Sequence, residues 1–229
     1  MYGFDTSDGS QLFYDQQLEQ TSNWTPAYDG SSLYTFCDGN LRSHDPSTGT
    51  EEWEVAVPGN FYTYEMNTAP VLSDGLVYVL DDTGIYAIDV DAEELVWSAD
   101  GSFSGVPTVA NGLVYAITSG EVKVYDKDDG TYSGVYIAGN SIGGQAIVTD
   151  DLLIVSGDYA ASTYVFDLSS GETITKLPHA GTVAVSDGRL FIATDEELRG
   201  GNPQRRRRRP LCAMTNGCAC SSSCSPATV

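Results

Sequence analysis

The stretch APVLSDGLVYVLDDTGIYAIDVDAEELVWSAD, residues 69–100, holds four short apolar runs separated by turn chemistry. The first two runs flank Asp74-Gly75. An Asp-Gly pair between β-branched and aromatic residues signals a type I′ hairpin, because both central residues of that turn take positive φ. A third run, GIYAID, follows a polar break, and a fourth, ELVWSA, follows the phrase that begins at Asp89. The alternation of the runs and the turn residues between them predict four consecutive antiparallel strands.

This unit recurs. Its opening hairpin reappears as VPTVANGLVYAIT from Val106, QAIVTDDLLIVSG from Gln145 and GTVAVSDGRLFIAT from Gly181, and in weaker form as TPAYDGSSLYTF from Thr25. The phrase between its third and fourth strands begins at Asp5, Asp45, Asp89, Asp126 and Asp167, at intervals of 40, 44, 37 and 41 residues. It closes four residues later on Gly9, Gly49, Gly130 and Gly171, with Glu93 in the third copy. The aspartate is suited to accept backbone N–H groups of its own turn, and the glycine to supply the positive φ that returns the chain. Eight residues after the aspartate stand Phe13, Trp53 and Trp97, flat apolar groups for a neighbouring unit, then Gly134 and Thr175 in the last two copies. Four strands in about forty residues is the size of one β-propeller blade, so the fold class is all-β.

The segments AIDVDAEELVW from Ala87 and SHDPSTGTEEW from Ser43 resemble the repeat A-x-D-x-x-T-G-x-x-x-W, the tryptophan-docking motif of the pyrroloquinoline-quinone (PQQ)-like β-propellers. The resemblance covers residues 1–198. It implies blades docked through the aromatic of each fourth strand, and the loss of that aromatic after Trp97 implies weaker docking later in the chain. The family includes quinoprotein alcohol dehydrogenases, a propeller component of outer-membrane barrel assembly, and sensor or scaffold modules. Four complete blades are expected at 23–58, 61–100, 104–139 and 143–178, with half-blades at 1–17 and 181–195. The half-blades are complementary and would close a five-bladed ring by pairing. Because the family usually carries more blades, the expectation is a piece of a larger propeller.

From residue 199 the composition changes. Five arginines, Arg205–Arg209, stand where the next aspartate phrase is due, followed by Cys212, Cys218, Cys220 and Cys224 without the paired spacing of a zinc site. A disordered Arg/Cys-rich tail, foreign to the repeat, is expected over 199–229. Cys37 alone lies in the repeats and reads as a small buried thiol.

The net charge is −21, with 32 acidic residues against 11 basic ones, and lysine occurs only at positions 123, 127 and 176. Such a surface repels phosphate backbones and anionic membranes, which excludes nucleic acid as a partner of the propeller. It suits an extracellular or periplasmic setting, or a high-salt habitat that screens self-repulsion. Asn23-Trp24-Thr25 is a glycosylation sequon, and no apolar run is long enough for a membrane span.

Catalytic groupings are absent from the sequence. The vicinal cysteine pair that lies over the quinone in PQQ dehydrogenases does not occur, and His44 and His179 are the only histidines. His44, one residue before a motif aspartate, reads as a turn or blade-edge residue. The DKDDG at 126–130 resembles the start of an EF-hand but lacks its later ligands, and reads as a turn. No catalytic, cofactor or metal residue is therefore expected. The leading reading is a non-catalytic scaffold or sensor module with a protein partner. The alternative is part of a PQQ- and calcium-dependent oxidoreductase whose site lies on other blades.

Overall fold

The computed structural model describes residues 1–14, 25–59, 68–139, 142–157, 162–194 and, for the backbone, 212–214. All regular structure among them is β. A hairpin of β1 (Tyr2–Phe4) and β2 (Gln11–Tyr14) comes first. Blade 1 is built from β3 (Ala27–Tyr28), β4 (Leu33–Cys37), β5 (Asn40–His44) and β6 (Glu51–Ala56), and blade 2 from β7 (Val71–Ser73), β8 (Leu76–Leu80), β9 (Gly84–Asp89) and β10 (Glu94–Asp100). Blade 3 holds β11 (Ser104–Ala110), β12 (Leu113–Ile117), β13 (Glu121–Asp126) and β14 (Tyr132–Ile137). Blade 4 holds β15 (Gly143–Val148), β16 (Leu152–Ser156), β17 (Thr163–Asp167) and β18 (Thr173–Leu177). The strands β19 (Thr182–Ser186), β20 (Arg189–Ala193) and β21 (Cys212–Met214) close the series. Within each blade, strands follow chain order and pair antiparallel.

The hairpin turns carry the expected chemistry. Asp74-Gly75, Asn111-Gly112 and Asp187-Gly188 each have positive φ at both residues; in blade 1 that pattern falls at Asp38-Gly39, between β4 and β5, while in the opening turn only Gly30 of Asp29-Gly30 is positive. Asp150-Asp151 turns without it; there Thr149 N–H donates to the Leu152 carbonyl at 2.9 Å.

The second strand of each blade is largely buried on both faces, and its period of two divides its side chains between neighbours. Val77 and Val79 of β8 join Tyr34, Phe36 and Leu41 in the core between blades 1 and 2. Tyr78 and Leu80 of the same strand join Val114, Ala116 and Tyr125 between blades 2 and 3. Tyr115 and Ile117 then meet Leu153, Val155, Tyr164 and Phe166 between blades 3 and 4. The core is thus a series of inter-blade planes, and each sheet is a wall shared by two of them.

Inner strands add a second connection. Val106 on β11 faces Gln145 on β15 in a parallel bridge, which joins blades 3 and 4 into one eight-stranded sheet. Nearby, Thr108 Oγ1 donates to the Ala146 carbonyl at 2.7 Å, and Thr68 Oγ1 donates to the Gly105 carbonyl at 2.8 Å.

Two findings concern the ends. Among the described residues, β1–β2 and β19–β21 form separate sheets. Cys212–Met214, placed by the sequence in a disordered tail, instead pairs antiparallel with β20, Ile192 facing Cys212 and Leu190 facing Met214. The open edge of β20 supplies the pairing that the segment's own composition does not advertise. The arginine run, Cys218, Cys220, Cys224 and the Asn23-Trp24 part of the sequon lie outside the described residues.

Candidate functional site

The five motif aspartates occupy equivalent turns and bond them in one manner. Asp5 Oδ1 accepts Ser7 N–H at 2.8 Å, Asp45 Oδ1 accepts Ser47 and Thr48 N–H at 2.8 and 2.9 Å, and Asp89 Oδ1 accepts Asp91 and Ala92 N–H at 2.9 and 2.8 Å. Asp126 Oδ1 accepts Asp128 and Asp129 N–H at 2.8 and 3.3 Å, and Asp167 Oδ1 accepts Ser169 and Ser170 N–H at 2.9 and 2.8 Å. Gly9, Gly49, Gly130 and Gly171 each donate N–H to the carbonyl of their own aspartate. The 126–130 segment is a turn of this series, its carboxylate filled by its own backbone.

These turns are where one blade seats the next. The ring of Phe13 lies over Gly49, where a Cβ would stand 2.3 Å from a ring carbon, and that of Trp97 lies over Gly130, where the figure is 2.6 Å. Trp97 is 7% exposed, and its Nε1–H donates to the Lys127 carbonyl at 2.9 Å. Tyr78 donates its hydroxyl to the same carbonyl at 3.0 Å, and burial pushes that phenol up to about 12. The Lys127 N–H in turn donates to the Gly112 carbonyl of its own blade at 3.1 Å. One peptide residue therefore ties its own hairpin to the preceding blade.

Trp53 departs from the sequence expectation. It is half-buried, tilted at 45° to Tyr34 with ring centroids 5.8 Å apart. By analogy with the other copies its seat would be the turn that carries Glu93, held at φ 55, where a side chain stands in place of a glycine floor. A non-glycine residue in this region costs about 1 kcal/mol. Glu93→Gly is expected to raise the thermal midpoint and to blue-shift Trp53 fluorescence as the ring settles. An unchanged midpoint would show that Glu93 does not limit this contact.

The later docking contact, expected to fade, is supplied from another position. Gly134 leaves the tryptophan site empty on β14. Tyr136, two residues on and so on the same strand face, packs edge-on to Phe166 with centroids 5.5 Å apart and donates its hydroxyl to the Leu168 carbonyl at 3.3 Å. Leu168 is to Asp167 what Lys127 is to Asp126, and its N–H donates to the Asp151 carbonyl at 2.9 Å. Tyr136→Phe should cost about 0.5–1.5 kcal/mol, the net value of one hydrogen bond, read as a lower denaturant midpoint with an unchanged m-value. No loss would mean that ring packing alone holds the plane.

His44 is buried on β5, its Nε2 3.0 Å from Thr35 Oγ1, and so serves the core rather than a blade edge. Cys37 is buried, and its thiol is pushed up to about 11 by that burial, partly offset by Arg42. Among the described residues no group of three or more His, Cys, Asp or Glu is placed to hold a metal ion, and no helix is long and apolar enough to cross a membrane.

Of the five lysine and arginine side chains among the described residues, four are already engaged, Arg189 being the fifth. Arg42 pairs with Glu51 and Glu54 at 3.3 and 3.4 Å, and Lys127 with Asp128 and Asp74 at 2.7 and 3.3 Å. Lys123 and Lys176 lie over the rings of Phe103 and Tyr164 at 5.7 and 5.0 Å. The field presented to a partner is therefore strongly negative.

The turn carboxylates give this fold an acid dependence. Side-chain hydroxyl donors first, then backbone N–H groups, hold Asp5, Asp45 and Asp167 below the ordinary 3.8. The unfolded chain thus takes up protons first. The stability these turns contribute is present above about pH 4 and is lost as pH falls through the depressed folded values. Asn in place of Asp45 and Asp167 keeps an acceptor but no charge. The stability gap between that variant and the parent should be present at neutral pH and close in acid, as measured by thermal unfolding. A gap that stays constant with pH would contradict this.

A family model described as outer membrane protein assembly factor BamB matches residues 1–134. The crystal structure of BamB from Moraxella catarrhalis is similar to this chain with a TM-score of 0.69 at 16% sequence identity, over 84% of this chain and 63% of that one. The chain thus spans 63% of the length of that relative, and at this identity the likeness is one of fold. No curated protein matches the chain.

Proposed function

The chain belongs to the PQQ-like β-propeller family whose model is described as outer membrane protein assembly factor BamB, and from that membership we propose that it is a non-catalytic scaffold for a protein partner. The observation that carries this reading is the use made of the motif residues. Asp45, Asp89, Asp126 and Asp167 each spend a carboxylate oxygen on two N–H groups of their own turn. The glycines Gly49 and Gly130 are spent on seating Phe13 and Trp97. The residue types that could carry chemistry are those that hold the blades together. What is left for recognition is a rigid frame with an acidic exterior, which supports binding rather than turnover.

The family description supports a protein as the partner. A factor for assembly of outer membrane proteins acts on or beside other polypeptides, and a periplasmic location follows for this chain under the same proposal. The test is in-cell cross-linking from exposed turn positions such as Ser47 and Ser169, followed by identification of the captured chains. Outer membrane proteins or their assembly factors are the expected captures. Titration with PQQ and calcium tests the oxidoreductase alternative. A quinone spectral shift with a raised thermal midpoint would overturn the scaffold reading.

A further inference from the structure

The outermost strand of each blade offers an open edge, and these edges are not alike. β6 carries Glu51, Glu52 and Glu54, β10 carries Glu94 and Asp100, and β18 carries Lys176. Charges on an edge strand are the usual guard against pairing with a further strand. β14, read as YSGVYI, carries none over its six residues; β2 and β21, also uncharged at the edges of their sheets, have four and three. β14 pairs only with β13 among the described residues, and it exposes Tyr132 at 55%, Val135 at 38% and Ile137 at 63%. Tyr136 faces the other way, onto Phe166, and fixes the strand from behind.

We propose that the free edge of β14 takes an extended, cationic polypeptide segment as an added antiparallel or parallel strand. The backbone groups of β14 would supply the ladder, and Tyr132, Val135 and Ile137 would give the incoming alternate side chains an apolar row. The charge of the occupant follows from the surroundings. Asp129 stands in the turn that precedes β14, beside an Asp128 already paired with Lys127, and Glu121 faces Ile137 across the β13–β14 ladder. The cation nearest the row, Lys123 opposite Val135, is drawn over the Phe103 ring. A second copy of the chain would bring its own charge of −21 to this acidic rim, which disfavours self-pairing. This inference rests on the scaffold reading and names one partner class for it.

The probe is a synthetic peptide of alternating valine and threonine with lysines at both ends, labelled for fluorescence anisotropy and compared with the same peptide carrying terminal glutamates. The parent chain should bind the lysine form more tightly, with the difference shrinking as salt rises. The double substitution Val135→Lys/Ile137→Lys should weaken binding roughly tenfold or more. Val96→Lys, on the guarded edge of β10, should leave it unchanged. Should the double variant fold poorly by circular dichroism, Ile137→Lys alone, at the most exposed position, carries the comparison. Absence of binding by the parent chain, or equal binding by the lysine variant, overturns the proposal. So does a dimer seen by sedimentation that the same substitutions dissolve, since the edge would then belong to a second copy. If cross-linked partners persist while peptide binding is absent, the scaffold reading stands and the edge proposal alone falls.

Discussion

Replacing Trp97 with alanine is expected to cost about 3–5 kcal/mol, the range for removing a large buried aromatic. Three losses act together. The indole leaves a cavity between blades 2 and 3 among Tyr78, Tyr125 and Val114. Its Nε1–H no longer reaches the Lys127 carbonyl, which keeps only the Tyr78 hydroxyl. The floor over Gly130 opens to solvent. The cost is large because Trp97 sits on a plane that two whole blades share. Trp53→Ala should cost clearly less, since that indole is already half-exposed and tilted off its seat. Denaturant unfolding followed by far-ultraviolet circular dichroism measures both. Equal losses at the two positions would show that the glycine seat does not govern docking.

Gly105→Ala is the second large effect. A Cβ at this position would stand 1.8 Å from the carbonyl oxygen of Gly144, with φ at +78°. Here the obstacle is backbone, so no rotamer change can relieve it. Overpacking of this kind costs about 1–3 kcal/mol. The left-handed conformation adds about 1–2 kcal/mol for a residue with a Cβ. The eight-stranded sheet should part at its parallel bridge between Val106 and Gln145, exposing inner-strand amides of β11 and β15 to hydrogen exchange. Gly144→Ala is the matched control. It has a similar φ of +76° but open space around its Cβ, so only the conformational part of the cost applies. If both alanines behave alike, the close approach of the inner strands is not what makes Gly105 costly to replace.

Much of this could be read in the chain. Asp-Gly and Asn-Gly pairs fix hairpins through a local conformational demand, and the motif aspartates fix turns through bonds within a few residues. Both are short-range, so sequence carries them in full. The inter-blade contacts are different. The half-burial of Trp53 goes with Glu93, which stands forty residues on where two other seats have glycine, and that link is visible only if the glycine is known to be a seat. Tyr136 replaces the missing tryptophan from a position two residues displaced, which strict motif spacing overlooks although the two-residue period of a strand allows it. Cys212–Met214 pairs with β20 because that strand has an open edge, a property of the partner rather than of the segment. The uncharged run of β14 was in plain view as letters, but its meaning required knowing which strand lies outermost.

The residue after each motif aspartate is Thr6, Pro46, Val90, Lys127 or Leu168, five side chains with little in common. At this joint Lys127 and Leu168 use main-chain atoms, accepting from the blade before and donating within their own, whatever their side chains add beside it. A joint made from peptide groups leaves no trace in the alphabet of side chains. Mutation can therefore redraw this rim, altering charge and shape toward new partners, while the joint beneath it persists. Such freedom is compatible with a shared architecture at a TM-score of 0.69 and 16% sequence identity. It also makes the rim a place where binding can diverge without endangering the fold.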